Sequence, residues 1–333
     1  MNEQKKYDWM VSVQCMTFNH ASFIVETFNG FTMQETTFPY VCVVVDDAST
    51  DGEQEIIKNY LDEHFDLDEK DTVRYEETDD YCMTFARHRT NKNCFFAVCF
   101  LKYNHHSLKK SKVSYLLRWH NLAKYVALCE GDDYWIHPDK LQLQVDYLEE
   151  NPECNMVYTH YKEQHGDIII DGTWNLLDGD CLKPYLLRKG FVPTASVMYR
   201  TSFKFDYEYL KMKFPMGDVP IWIQLMHASP IKLLPEVTTV YRILTESASH
   251  SANYGRQMSF IVGAMKCRLY FAEKYGYDDV CKELEEQINT NTLLQTLFNG
   301  KYYGFICSMP WKHGIGLRQI LGVLKLRYFQ KGE

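Results

Sequence analysis

Two pairs of aspartates stand just beyond short apolar segments of this sequence. Asp46 and Asp47 follow a YVCVVV segment, and Asp132 and Asp133 follow a YVALC segment after two intervening residues. The length, β-branching and flanking turn residues of both segments are typical of buried parallel strands. The carboxyl ends of parallel strands meet at one edge of an open α/β sheet, where ligands bind. The sequence therefore predicts that both pairs face a common ligand.

These carboxylates also predict a cation. Carboxylates that lie close together repel one another unless a cation or hydrogen-bond donors separate them, and such oxygen ligands suit Mg²⁺ or Mn²⁺. The chain has no Gly-x-Gly-x-x-Gly after its first predicted strand and no Gly-Lys-Ser/Thr loop to hold phosphate. A divalent cation that bridges carboxylates and a diphosphate is the alternative. Because Gly131 lacks a side chain, we expect a ligand to approach the backbone closely there.

Composition favours a globular protein without a nucleic-acid partner. The chain has 333 residues, of which 46% are hydrophobic, and its net charge is −8. No apolar stretch is long enough to span a bilayer, and MNEQKKYDWM lacks the apolar core of a signal peptide. The eleven cysteines are scattered without Cys-x-x-Cys pairs and are interpreted as reduced structural thiols. We therefore expect a cytoplasmic location.

The C-terminal tail differs from the rest of the chain in charge. Residues 301–333 contain six lysines and arginines against Glu333 alone, 6 − 1 = +5. Apolar residues recur at helical spacing in this tail: Leu317, Ile320, Leu321, Leu324 and Tyr328. The pattern fits a helix docked on the protein with its lysines in water, and it also fits peripheral contact with the inner face of an anionic membrane.

Strand-like and helical segments alternate from Met10 to about Leu148, which predicts a wound α/β domain. Thr50 with Glu53 is interpreted as a capping box that opens a helix. Residues 66–94 are rich in charges and turn formers and are interpreted as a surface insertion. Residues 256–298 have a helical pattern and predict a helical appendage.

Three segments together resemble family 2 glycosyltransferases of the GT-A fold. They are VSVQCMTFNHASFIVETFNGFTMQ, VVVDDASTDG and YVALCEGDDYWIHPDKLQLQVDYLEENPE. The resemblance is close over residues 10–150 and looser to about residue 250. It implies a mostly parallel sheet flanked by helices, and inverting transfer of a sugar from a nucleoside diphosphate to a hydroxyl of a glycan or lipid-linked saccharide. Surface polysaccharide biosynthesis is the implied process.

The resemblance also implies roles for individual residues. Thr17 and Asp47 would contact the base and ribose of the donor, while Asn19 and Asp46 would shape that pocket. Arg242 would contact the diphosphate.

The acidic triplet of Glu130, Gly131 and Asp132 carries the implied metal site. Asp132 would be the metal ligand, with Asp133 and His250 as further candidates. Glu130 occupies a position where the family more often has Asp, and contact with the ribose and contact with the metal both fit it. Gly131 lies between Glu130 and Asp132, in the implied donor site.

The implied general base is Asp218, in the segment MGDVPIW. A base is needed because a hydroxyl is a poor nucleophile until it loses its proton. Asp218 lies two residues before Pro220, so a helix N-cap is the alternative interpretation. An alternative function is a degenerate transferase that binds a nucleotide-sugar and acts as a non-catalytic partner.

The predicted domains follow the resemblance. They are a glycosyltransferase domain over 1–250, with a nucleotide-sugar half over about 10–135 and an acceptor half over about 136–250, and a C-terminal helical extension over 251–333.

Overall fold

The computed structural model describes residues 6–69, 73–244, 253–301 and 310–331. It contains two compact units that alternate along the chain. The first comprises 1–180, 192–204 and 229–243, and the second comprises 181–191, 205–228 and 244–333. The predicted division into contiguous domains at residue 250 stays a prediction.

The strands of the described residues form one sheet in the first unit. They are β1 (Trp9–Thr17), β2 (Tyr40–Asp46), β3 (Arg74–Glu77), β4 (Tyr81–Arg87), β5 (Cys94–Leu101), β6 (Ala123–Leu128), β7 (Tyr134–Trp135), β8 (Met156–His165), β9 (Ile168–Asp171), β10 (Met198–Arg200) and β11 (Lys232–Arg242). Their order is β3-β4-β5-β2-β1-β6-β10-β8-β11-β7, with β9 beside β8. The central strands β5, β2, β1 and β6 pair in parallel, as do β8 and β11.

Helices flank the sheet within the first unit. They are α1 (Ile24–Thr32), α2 (Glu53–His64), α3 (Val113–Leu122) and α4 (Lys140–Glu150). Strand β2 is buried along its whole length because alternate side chains enter opposite apolar layers. Cys42 and Val44 pack with α1, α2 and α4, whereas Val43 packs with Trp119 of α3. The predicted wound α/β domain is confirmed.

The interpretation of residues 66–94 as a surface insertion is wrong for part of that segment. Strands β3 and β4 lie there, and β4 pairs antiparallel with β5 along its whole length. Met83 and Phe85 of β4 are buried in the layer under α3. The many charges before β4 hide its short apolar pattern in the sequence, and the strand is stabilised by pairing with β5.

Strand register determines where the acidic turns lie. Thr17, the last residue of β1, pairs with Asp46, the last residue of β2. Leu128, the last residue of β6, pairs with Gln14 of β1. The residues after β6 therefore continue past the end of β1 on the same edge of the sheet.

The second unit is helical over most of its described residues. Its helices are α5 (Leu182–Leu186), α6 (Val219–Ala228), α7 (Tyr254–Tyr275), α8 (Asp278–Phe298) and α9 (Leu317–Lys331). The predicted appendage over 256–298 is thus two helices, and Gly276 ends α7 in a left-handed conformation with φ +76°. None of the described helices combines the length and apolar character needed to cross a membrane.

Helix α9 buries only part of its apolar residues. Val323 is buried, and Ile320 and Leu324 pack beside it against α8. Leu317 and Tyr328 are 71% and 79% exposed. The predicted apolar stripe is therefore divided between a docked face and an exposed face.

Lys140, at the start of α4, is completely buried. Its Nζ donates to Oε1 of Gln144 at 2.6 Å and lies 4.4 Å from the centre of the Trp135 ring. Gln144 in turn donates to the carbonyl of Ser196 at 2.8 Å. Burial lowers the pKa of Lys140 to about 7, because the charged form loses its hydration.

Replacing Lys140 by Met is expected to remove a rise of stability with pH. Between about pH 7 and pH 10 the unfolded chain keeps a proton that the folded chain releases, so higher pH favours folding. In this range, the free energy of unfolding of the wild type should rise by up to about 1.4 kcal/mol per pH unit relative to that of Lys140→Met. Urea denaturation of both proteins at several pH values measures the difference. Lys92 is exposed, and Lys92→Met is the control, whose plot of stability against pH should parallel that of the wild type. A plot for Lys140→Met that also parallels the wild type would contradict the low pKa of Lys140.

Candidate active site

The two acidic turns lie on either side of the end of β1. The amide of Asp47 donates to the carbonyl of Thr17 at 3.0 Å, and the amide of Gly131 donates to the carbonyl of Met16 at 3.0 Å. Backbone hydrogen bonds thus fix both turns to the same strand end. The common edge expected from the sequence is present within the first unit.

Gly131 is required by packing between these turns. A Cβ placed on Gly131 would lie 2.7 Å from Cβ of Thr17 and 3.0 Å from Nδ1 of His20. The space expected for an approaching ligand is therefore filled by the protein's own side chains. Contact between Gly131 and a donor stays a prediction.

Glu53 connects the loop after β1 with the turn after β2. Its buried carboxylate accepts hydrogen bonds from the Thr17 hydroxyl, from the His20 amide at 2.8 Å and from the Ser49 hydroxyl at 2.9 Å. The predicted capping box of Thr50 and Glu53 is wrong, because Glu53 is the first residue of α2 and follows Gly52 at φ +94°. Sequence reasoning missed this role because a first-turn acid is also typical of a helix start.

Asn19 also connects these two loops. Its backbone amide donates to the Ser49 hydroxyl at 2.9 Å, and its side-chain oxygen accepts from the backbone amide of Thr50 at 2.8 Å. Its φ of +58° lies in the left-handed region, which asparagine tolerates better than most residues. Asn19 therefore lies against the turn that follows Asp46 and Asp47, and its part in a donor pocket stays a prediction.

Asp47 is held by a loop that follows β5. Its carboxylate is 1% exposed and accepts from the His105 amide at 2.6 Å, the His106 amide at 3.1 Å and Nζ of Lys112 at 2.7 Å. Burial opposes ionisation, but Lys112 and the two amides outweigh it and lower the pKa of Asp47. These residues were not among the predicted site residues, and only their position after a strand end indicates them.

Asp46 is fully buried beside Asp47. Its Oδ2 accepts from the Ser49 amide at 3.3 Å and from the Gln54 side chain. Its Oδ1 has no hydrogen-bond partner among the described residues. Asp46 thus retains one acceptor in the predicted donor pocket.

The turn after β6 concentrates negative charge. Burial and the Asp132 carboxylate raise the pKa of Asp133 well above its usual range, and Glu130 adds to this effect. Oδ1 of Asp133 accepts from the amide of Arg242 at 2.8 Å. The Asp132 side chain is 18% exposed and lies 3.9 Å from His20, measured between Oδ2 and Nε2.

Arg242 is buried against this turn. Its guanidinium donates to the Asp132 carbonyl at 2.6 Å and to the Glu26 carboxylate, and it lies over the rings of Phe23 and Tyr134 at 4.9 and 4.3 Å. These contacts offset part of the negative charge of the turn. Contact of Arg242 with a diphosphate stays a prediction.

The oxygen ligands of this turn fit a divalent cation. The Asp132 carboxylate raises the pKa of Asp133, and the repulsion behind this effect is what a bound cation relieves. Within the described ranges, no three His, Cys, Asp or Glu side chains are grouped to hold a metal. His250 lies outside the described residues. A cation here would therefore depend on one or two of the described side chains, with other ligands from water or phosphate.

Asp218 lies in the second unit, directly before α6. Its Oδ1 accepts from the amide of Val219 at 2.8 Å, and its carbonyl accepts from the amide of Trp222 at 3.0 Å. Asp218 therefore takes part in the start of the helix, consistent with the capping alternative. Its role as a base stays a prediction.

Comparison with known sequences finds a family match over part of the chain. Residues 12–79 match the model of glycosyl transferase family 2. Over this segment, the chain is similar to that family. The match includes Thr17, Asn19, Asp46 and Asp47, and it confirms the predicted resemblance to family 2 glycosyltransferases.

Curated relatives and solved structures extend the comparison. Uncharacterized proteins Rv1520 of Mycobacterium tuberculosis and Mb1547 of Mycobacterium bovis are 29% identical over 253 residues, which cover 74% of this chain and 62% of each relative. The match thus spans less than two thirds of these relatives. TarS 1-349 of S. aureus in complex with UDP-GlcNAc gives a TM-score of 0.48 at 16% identity, covering 83% of this chain and 72% of that chain. Mannosyltransferase PcManGT from Pyrobaculum calidifontis in complex with GDP-Man and Mn²⁺ gives 0.45 at 15%, covering 79% and 67%.

Replacing Gly131 by Ala is expected to destabilise the protein by about 1–3 kcal/mol, because the added methyl group overlaps Thr17. Urea denaturation measures the change. Gly217→Ala is the matched control, since a Cβ there meets nothing within 4 Å, and its effect should stay within about 0.5 kcal/mol. Equal stability of the two variants would show that the turn after β6 is not packed as described.

Proposed function

We propose that this protein is an inverting, metal-dependent glycosyltransferase. It transfers a sugar from a nucleoside diphosphate to a hydroxyl group of a glycan or lipid-linked saccharide, in surface polysaccharide biosynthesis. The observation that carries the proposal is that two acidic turns are joined to the end of β1. Strand β1 and the first of these turns lie in the segment that matches family 2.

Several contacts support a donor pocket beside these turns. Glu53 and Asn19 join the loop after β1 to the turn after β2, so Thr17, Asp46 and Asp47 are held in fixed positions. Preorganised polar groups of this kind bind a ligand with little cost in ordering. We propose that the base and ribose of the donor lie against these residues.

The proposed reaction is a single displacement at the anomeric carbon. The acceptor oxygen forms the new bond to that carbon, and the bond from carbon to the diphosphate oxygen breaks with its electron pair going to the diphosphate. Asp218 takes the proton from the acceptor hydroxyl. Attack opposite to the leaving group inverts the anomeric configuration.

Asp132 is the proposed metal ligand, with Asp133 behind it. When bound, Mn²⁺ or Mg²⁺ would supply electrostatic stabilisation of the leaving diphosphate. Asp133, held by the Arg242 amide, would orient the turn that presents Asp132. Glu130 adds negative charge to the same turn.

Donor binding and turnover can be tested separately. UDP, GDP and their sugars are screened by thermal shift with Mn²⁺ or with EDTA, and they should raise the melting temperature only when the metal is present. A ligand at 100 times its Kd adds about 2.7 kcal/mol to the free energy of unfolding. Asp132→Asn should lose this metal-dependent shift. Asp218→Asn should keep it, yet lose about 100-fold or more of sugar transfer, or of slow donor hydrolysis measured as released nucleoside diphosphate.

Asp62→Asn, in an exposed residue of α2, is the control and should behave as the wild type. Full activity of Asp132→Asn or Asp218→Asn would contradict the corresponding role. Metal-dependent binding by a wild type that neither transfers nor hydrolyses the sugar would favour the non-catalytic partner instead.

We also propose peripheral membrane contact through α9. Leu317, Leu321 and Tyr328 are exposed at spacings that place them on one helix face. Arg318 and Lys325 are exposed beside them and add positive charge. An exposed apolar face with flanking cations is the pattern that binds anionic lipid surfaces.

Vesicle sedimentation tests this contact. The protein should sediment with phosphatidylglycerol vesicles more than with phosphatidylcholine vesicles, and Leu317→Glu with Leu321→Glu should reduce binding several-fold. Tyr75→Glu changes an equally exposed side chain in the first unit, which is 67% exposed, and should have no effect. Equal binding to both vesicle types, or by all three proteins, would rule the contact out.

A further inference from the structure

We propose that His20 binds the divalent cation together with Asp132. The inference rests on the proposed function, because it adds a ligand to the proposed donor site. His20 lies in the loop after β1, outside the acidic triplet.

Glu53 fixes the direction of the Thr17 proton. Its buried carboxylate accepts hydrogen bonds from the His20 amide and the Ser49 hydroxyl, and the Thr17 hydroxyl donates to its Oε1. A hydroxyl has one proton to donate. The single proton of the Thr17 hydroxyl is therefore directed toward Glu53.

The Thr17 hydroxyl in turn fixes the tautomer of the His20 ring. Oγ1 of Thr17 lies 3.2 Å from Nδ1 of His20. Because the Thr17 proton is already used, Oγ1 accepts and Nδ1 carries the hydrogen. In the neutral imidazole, Nε2 then presents a lone pair.

The nitrogen that carries this lone pair, Nε2 of His20, lies near the Asp132 carboxylate. Nε2 of His20 lies 3.9 Å from Oδ2 of Asp132. This distance is longer than a direct hydrogen bond of about 2.7–3.2 Å. Two ligands that each lie about 2.0–2.2 Å from one ion are at most about 4.4 Å apart. The separation thus fits two ligands of a common cation.

The surroundings favour a metal rather than an empty gap. The His20 and Asp132 side chains are 21% and 18% exposed, so a diphosphate oxygen can reach an ion between them. A hydrogen bond from Nδ1 to a fixed acceptor is the usual support of a metal-binding histidine, and Thr17 with Glu53 provides it. An imidazole paired with a carboxylate favours Mn²⁺ over Mg²⁺.

Calorimetry with Mn²⁺, alone and with UDP or GDP, tests the inference. His20→Asn should weaken Mn²⁺ binding about tenfold or more, and Asp132→Asn should weaken it further. His165→Asn is the matched control, because His165 also lies beside a carboxylate, 3.4 Å from Glu163. That variant should bind Mn²⁺ as the wild type does.

Pulsed EPR of bound Mn²⁺ gives a second measurement that does not depend on activity. The wild type should show coupling to an imidazole nitrogen, and this signal should disappear in His20→Asn. His20→Gln and circular dichroism check that the loss is not caused by misfolding.

The possible results separate the two proposals. Unchanged Mn²⁺ affinity and an unchanged nitrogen signal in His20→Asn overturn the role of His20. If Asp132→Asn still loses Mn²⁺ in that case, the proposed metal-dependent transferase stands. If the wild type binds no Mn²⁺ with or without nucleotide, both proposals fail.

Discussion

The parallel pairing of β1 with β2 on one side and with β6 on the other determines where the chemistry lies. Parallel strands bring their carboxyl ends to one edge, and here the register aligns Thr17 with Asp46 and leads the turn after β6 past Met16. Both neighbours are buried strands that cannot slip by one residue without turning apolar side chains to the wrong layer. The site geometry is therefore a consequence of the apolar core.

Polar contacts then fix the positions of the turns. Glu53 is buried and accepts hydrogen bonds from groups on two loops, so a single carboxylate holds both loops. On the other side, Arg242 holds the turn of Asp132 and Asp133 by its backbone amide and its guanidinium. Acidic groups that would repel one another are thereby kept close together, which prepares the edge for a cation.

Sequence reasoning recovered the parallel strands and the acidic turns because these depend on local patterns. It failed for β4, because this strand is stabilised by its pairing with β5. No local pattern in the sequence identifies β5 as the partner of β4. Sequence reasoning also assigned Glu53 to a capping box, although the carboxylate contacts Thr17, 36 residues away. Asp47 was found, but its contacts with His105, His106 and Lys112 were not predicted, because they join residues that are far apart in the sequence.

The sequence by itself determined the fold class, the order of the central strands and helices along the chain, and the resemblance to family 2 glycosyltransferases, since periodicity and short motifs are properties of the chain. Only the tertiary structure decided that Gly131 is small because Thr17 occupies its space, and that His20 faces Asp132. The physical reason is that packing and hydrogen-bond direction depend on distances between residues far apart in the chain. Those distances exist only after the strands have paired.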